Sequence, residues 1–123
     1  MTQEDRQILL KDLSSRLPYG VCYRRFAWDD KREEECISAK IYSISPDGYV
    51  RNYHEDESDY IDNVRPYLFP FSSITKKTLK ELSAYIDIKN AYVAVDLLNS
   101  HHIDYRGLIE KGLAIDATGL NIY

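Results

Sequence analysis

Two imidazoles, a carboxylate, a phenol and a guanidinium fall within the six positions His101-His102-Ile103-Asp104-Tyr105-Arg106, just before Gly107. As a reactive site, this segment would use one histidine as a general base and Arg106 as an anion clamp. An imidazole exchanges protons near neutral pH, and a planar guanidinium offers parallel N–H donors to an oxyanion. The same residues also have a plain structural use. Histidines near a helix C-terminus satisfy free carbonyls and favour the dipole, while Asp104 and Arg106 tie down the following turn. The structural description is the simpler one, because catalysis needs a partner from elsewhere in the fold and no third group is specified by the spacing.

A second cluster is acidic. Residues 55 to 62 read Glu55-Asp56-Glu57-Ser58-Asp59-Tyr60-Ile61-Asp62, five carboxylates in eight positions. As a solvated face this serves solubility. As a site, Glu55, Asp56, Glu57 and Asp59 interleaved with Tyr60 would engage a basic groove on a nucleic-acid-processing protein. The run lacks the sixth-position Gly and twelfth-position Glu of a calcium loop. His54, Glu55, Asp56, His101 and His102 have the chemistry for zinc, but their spacing does not require a metal, and none is expected. No Gly-x-Ser-x-Gly elbow and no phosphate-cradling Gly-x-x-x-x-Gly-Lys occurs. Neither Cys22 nor Cys36 sits in a motif that would lower its pKa, and both read as reduced thiols. No cofactor is called for.

The bulk numbers narrow the partners. Across 123 residues, 16 Lys and Arg stand against 20 Asp and Glu, a net charge of −4, so a phosphate-tracking surface and direct nucleic-acid binding are not expected. No apolar run is long enough to cross a bilayer, and the polar, acidic start Met1-Thr2-Gln3-Glu4-Asp5 is unlike a secretory signal, which places the expected location in the cytoplasm. Eleven of the residues are tyrosine, a side chain enriched at recognition surfaces, although the simpler reading is that most of these rings cap the rim of a small core with the hydroxyl in water.

The elements that must position these groups follow from periodicity. Thr2 and Asp5 have capping-box spacing, and Leu9, Leu10, Leu13 and Leu17 form one stripe, so a helix is expected over about 3–16 before Pro18 and Gly20. Segments 21–28 and 36–44 read as antiparallel strands around a charged turn near Lys31, a register that sets Cys22 opposite Lys40 and Cys36 opposite Phe26, too far apart for a disulfide. Ser45-Pro46-Asp47-Gly48 is a turn into a third strand over 49–53. Residues 54–62 read as a loop, and 64–71, with Pro66 and Pro70, as an extended apolar crossing buried against the sheet. A helix is expected over about 75–86, with Lys76 and Lys77 opposing its dipole unless the acidic loop lies near, and 90–101 reads as a helix in preference to a strand over Tyr92-Val93-Ala94-Val95. Gly107, Gly112 and Gly119 then bend a C-terminal arm held by Leu108, Ile109, Leu113 and Ile115.

Three stretches carry a family resemblance: residues 10–21, from Leu10-Lys11-Asp12-Leu13 to Pro18-Tyr19-Gly20-Val21; residues 64–75, Val64-Arg65-Pro66-Tyr67-Leu68-Phe69-Pro70 with Ser72-Ser73-Ile74-Thr75; and residues 98–109, Leu98-Asn99 through His101-His102-Ile103-Asp104-Tyr105-Arg106-Gly107-Leu108-Ile109. With these in order along nearly its whole length, the chain resembles a set of short proteins of prophages and mobile elements in anaerobic gut bacteria, a family without assigned function. Members often carry Trp where this chain has Leu97, and residues 24–53 are the least similar. The resemblance implies an accessory protein of a mobile element and names no substrate, cofactor or catalytic residue.

The expected architecture is a single α+β domain over residues 1–123, a small antiparallel sheet of about three strands packed against two or three helices and closed by the glycine-bent arm. The expected function is protein binding as an accessory or regulatory factor, by a monomer or homodimer, with no membrane partner. The alternative is a small enzyme or ligand-binding protein centred on His101, His102, Asp104, Tyr105 and Arg106.

Overall fold

The computed structural model describes residues 1–25, 39–53, 58–87 and 91–123. Its first element, α1 (Gln3–Arg16), starts at a reciprocal capping box in which the Asp5 N–H donates to Thr2 Oγ1 at 3.0 Å and the Thr2 N–H donates to Asp5 Oδ2 at 3.1 Å. The helix buries Leu9 and Leu13 completely, and a 3-10 turn over Leu17–Tyr19 ends it at the left-handed Gly20.

The strands are β1 (Cys22–Arg25), β2 (Ala39–Ile44), β3 (Tyr49–Asn52), β4 (Ser58–Tyr60) and β5 (Val64–Pro70), followed after two helices by the short β6 (Ile103–Asp104) and β7 (Ile115–Asp116). Among the described residues they form one mixed sheet in the order β4-β3-β2-β1-β5-β6, with β7 also on β5. The α+β class agrees with expectation, but the sheet has seven strands where about three were expected. The added strands have identifiable sources. Residues 58–60, expected in a loop, pair with β3, and the expected crossing at 64–70 is a strand of the sheet itself, antiparallel to β1 and parallel to β6 and β7. The prolines are compatible with this because Pro70 is the last residue of β5 and Pro66 stands opposite Tyr23 at the end of the β1–β5 ladder.

Cys22 stands opposite Lys40, the register read from the sequence, and the Cys22 thiol is buried and reduced. Cys36 and its expected place opposite Phe26 lie outside the described residues, as do the turn near Lys31 and the loop residues His54, Glu55, Asp56 and Glu57. At the Ser45–Gly48 turn, Gly48 has φ +94° and a Cβ there would meet Tyr60 and Ile61 carbons at 3.2 and 3.3 Å, so glycine is required by both backbone and space.

Two helices complete the molecule, α2 (Lys76–Asp87) and α3 (Ala91–Ser100). None among the described residues is long and apolar enough to cross a membrane. Strand alternation gives the sheet two faces. Tyr23, Ile41, Val50 and Leu68 point to one, where Leu9 and Leu13 of α1 join Leu108 and Leu113 of the arm in the main core. Cys22 and Tyr67 point to the other, covered by Ile115, Ala117 and Ile122. A third cluster of Leu82, Ala94, Leu98 and Ile103 fixes α2 and α3 to the end of β5 through Phe69.

Candidate functional site

The His101–Arg106 segment starts where α3 ends. The helix closes on backbone groups: the His101 N–H donates to the Leu97 carbonyl at 3.2 Å and the His102 N–H to the Asn99 carbonyl at 3.1 Å. The cap bonds come from backbone N–H groups and not from the imidazoles, unlike the expected carbonyl-satisfying role, and His102 leaves the helix at φ +58°. His101 is exposed. The His102 ring instead stacks on Tyr123, with centroids 3.6 Å apart and planes 11° from parallel.

Asp104 is buried and accepts the Leu108 N–H and the Ile109 N–H at 2.9 Å each. It anchors the turn that launches the arm. Arg106 reaches out of the segment to α1, its Nε donating to Asp12 Oδ1 at 3.0 Å. Asp12 also faces Arg16, whose Nε and Nη2 donate to it at 2.7 and 3.2 Å, and Nη2 further donates to the Ile103 carbonyl at 2.6 Å. Asp12 and Arg16 are both 0% exposed. Tyr105 completes the cluster, donating to Asn99 Oδ1 at 2.9 Å while the guanidinium carbons of Arg16 and Arg106 lie 5.0 and 5.1 Å from its ring centre.

This is one carboxylate held by two guanidiniums inside the protein. The sequence reading did not include Asp12 and Arg16, although Leu9, Asp12, Leu13 and Arg16 recur at i, i+3, i+4 and i+7 and must share a helix face. Two buried nitrogens of the cluster, Arg16 Nη1 and His102 Nδ1, have no hydrogen-bond partner. Burial, with the Arg16 charge added, pushes the His102 imidazole down to about 4, so it is neutral at physiological pH.

Tyr123 has a role that only the fold reveals. Continued one residue past Tyr23 opposite Pro66, the antiparallel register would pair Cys22 with Tyr67. The phenol sits between them, accepting the Cys22 N–H at 2.9 Å and donating to the Tyr67 carbonyl at 2.7 Å. It stands in for a ladder hydrogen bond, and desolvation of the phenol between the strands pushes its pKa well above that of an ordinary tyrosine.

The acidic cluster divides. Asp59 points inward, only 8% exposed, where it accepts the Tyr23 hydroxyl and pairs with Arg25, while Asn52 Nδ2 donates to the same tyrosine oxygen at 2.9 Å. It is therefore a buried acceptor and does not belong to a solvated acidic face. Tyr60 points outward. Among the described residues no group of three His, Cys, Asp or Glu is placed to hold a metal ion.

Four of the exposed tyrosines gather on the reverse face of the sheet. The arm covers this face over β1 and β5 but not over β2, β3 and β4, where Tyr42, Tyr49, Tyr53 and Tyr60 are 40%, 45%, 69% and 36% exposed. Tyr42 is placed by a bulge, since Ile41 pairs with Asn52 and Ser43 with Arg51, leaving Tyr42 as the extra residue. Tyr42 packs on Tyr53 and Tyr49 on Tyr60, each pair with centroids 5.3 Å apart in tilted geometry. Beside them a groove of about 430 Å³ is lined by Ser43, Ile44, Ser45, Asp47, Tyr49, Arg51 and Ser58.

In comparison with known proteins, no family model, no curated protein and no solved structure matches this chain.

Proposed function

We propose that this protein is a protein-binding accessory factor with no catalysis of its own, and that its contact surface is the open outer face of β2, β3 and β4. The observation that carries the reading is the set of four exposed tyrosines on that one face. Paired tyrosines offer large contact area with few rotatable bonds to order, and each phenol supplies a hydrogen bond at the rim of a contact. The net charge of −4 favours a protein over a nucleic acid as the occupant. An accessory factor is also what the resemblance to short proteins of prophages and mobile elements implies, and we extend the proposal to that setting.

Three of the five groups of the competing enzymatic reading are engaged elsewhere. Asp104 is taken by two backbone N–H groups, Arg106 by Asp12, and Tyr105 by Asn99. Such a cluster supports the fold by joining α1 to the C-terminal arm.

The test is affinity capture from the native cell, with the captured protein then purified and titrated. Tyr42→Ala with Tyr53→Ala should weaken its binding by about 2 kcal/mol or more, roughly thirtyfold, while Tyr92→Ala on α3 leaves it unchanged. Equal binding by the β-face variant and the wild type would reject the surface.

A further inference from the structure

We infer that the groove beside the tyrosines receives a carboxylate-bearing, extended segment of the protein partner, with Arg51 as its anchor. This rests on the protein-binding reading above and names the chemistry of the partner. The starting observation is how the charged groups are matched. Among the described residues, Arg6, Arg16, Arg25 and Arg106 each face a carboxylate, and Arg65 donates to the carbonyls of Asp62, Val64 and Gly112. Arg51 differs from these. Among the described residues its Nε meets only the Ser58 hydroxyl, at a long 3.3 Å, in a chain with four more acids than bases.

Cross-strand pairing places Arg51 between Ser43 of β2 and Ser58 of β4, so hydroxyl groups flank the guanidinium on both sides. Tyr49 supplies one wall of the groove and Ile44 its apolar part. Asp47, the one carboxylate in the lining, accepts the Ser45 hydroxyl within the β2–β3 turn. A planar guanidinium with free N–H groups and neighbouring hydroxyls suits a carboxylate, which accepts two parallel hydrogen bonds. The groove is open and half polar, unlike the enclosed apolar cavities that hold small molecules, and it continues the tyrosine face, so a segment of a larger partner fits it better. A second groove of about 290 Å³ shares Ile44 and Ser45 with the first and contains Lys11.

The test measures anisotropy of fluorescein-labelled hexaglutamate with the full chain at low salt, against hexaglutamine and a short oligothymidylate. Expected are saturable binding of hexaglutamate, none of hexaglutamine, and loss of tenfold or more in affinity for Arg51→Glu, with a smaller loss for Lys11→Glu and none for the distant Lys76→Glu. Both groove residues face solvent, so melting temperatures should match the wild type and a folding defect would be visible as such. Absence of hexaglutamate binding, or equal loss in Arg51→Glu and Lys76→Glu, would overturn the carboxylate site, and tighter binding of oligothymidylate would assign the face to single-stranded nucleic acid. The Tyr42 and Tyr53 variants leave Arg51 in place, so their effect on partner binding judges the tyrosine surface separately.

Discussion

Removal of the Asp12 carboxylate should destabilise this protein more than any other single change in the α1–arm junction. Asp12→Ala deletes the shared partner of two guanidiniums and leaves Arg16 charged, 0% exposed, and held by the Ile103 carbonyl alone. Breaking a buried pair from one side costs about 3–5 kcal/mol, because the desolvation of the remaining charge is no longer offset. Arg106→Ala removes a single bond at 3.0 Å from a side chain that keeps 26% of its surface in water, and Asp12 retains Arg16. Its expected cost is about 1.5 kcal/mol, the low end for a charged hydrogen bond. For a chain of this size each kcal/mol is worth about 3–5 °C in melting temperature, which separates the two variants by roughly 10 °C.

A double variant sharpens the argument. Arg16→Met keeps much of the apolar stem and removes the charge, so Asp12→Ala with Arg16→Met should be more stable than Asp12→Ala alone. Urea denaturation followed by circular dichroism gives all four free energies on one scale. The reasoning is refuted if Asp12→Ala costs no more than Arg106→Ala, or if the double variant is the sum of its parts, since either result would mean that Arg16 finds water when its carboxylate is lost.

Two further outcomes test the C-terminal arm. Tyr123→Phe strips the hydroxyl between Cys22 and Tyr67 and should cost about 1–3 kcal/mol, with faster hydrogen exchange at the Cys22 amide; unchanged stability and exchange would mean that the two strands close the gap themselves. His102 gives a pH dependence: its folded value of about 4 lies below the ordinary 6.5, so as pH falls through 6.5 the unfolded chain takes up a proton that the folded chain refuses. Stability should therefore drop progressively from about pH 6.5 to about pH 4, by up to about 2 kcal/mol at pH 5, and His102→Asn, which accepts the same left-handed backbone, should flatten that part of the profile.

Where local rules decide the outcome, the sequence was readable. Thr2 and Asp5 cap α1, and the Ser45–Gly48 turn forms, because each depends on residues within four positions. The seven-strand sheet was not readable, since β6 and β7 have two residues each and no alternation to detect, and since Val64–Pro70 hides a strand behind two prolines. Asp59 looked like a member of a solvated run; its inward direction follows from the pairing of Val50 with Asp59, which no local signal announces. In the candidate site, the types at 101–106 were visible but their partners were not. Asp12 lies 94 positions from Arg106, and recognising it required treating a charged pair as part of the leucine stripe.

On the proposed protein-binding reading, the outer strands keep folding and recognition on separate residues. In β3, Val50 and Asn52 point into the protein while Tyr49 and Arg51 point out, and in β4 Asp59 is inward between Ser58 and Tyr60. The inward set carries Val50 at 0% exposed and the Tyr23, Asn52 and Asp59 hydrogen bonds. The outward set contributes tilted aromatic pairs at the surface, each worth about 0.5–1.5 kcal/mol, and the long Arg51–Ser58 contact. A period of two therefore lets the outward residues, the proposed contact surface, change with little effect on stability, provided Gly48 and the Tyr42 bulge keep the strands in register.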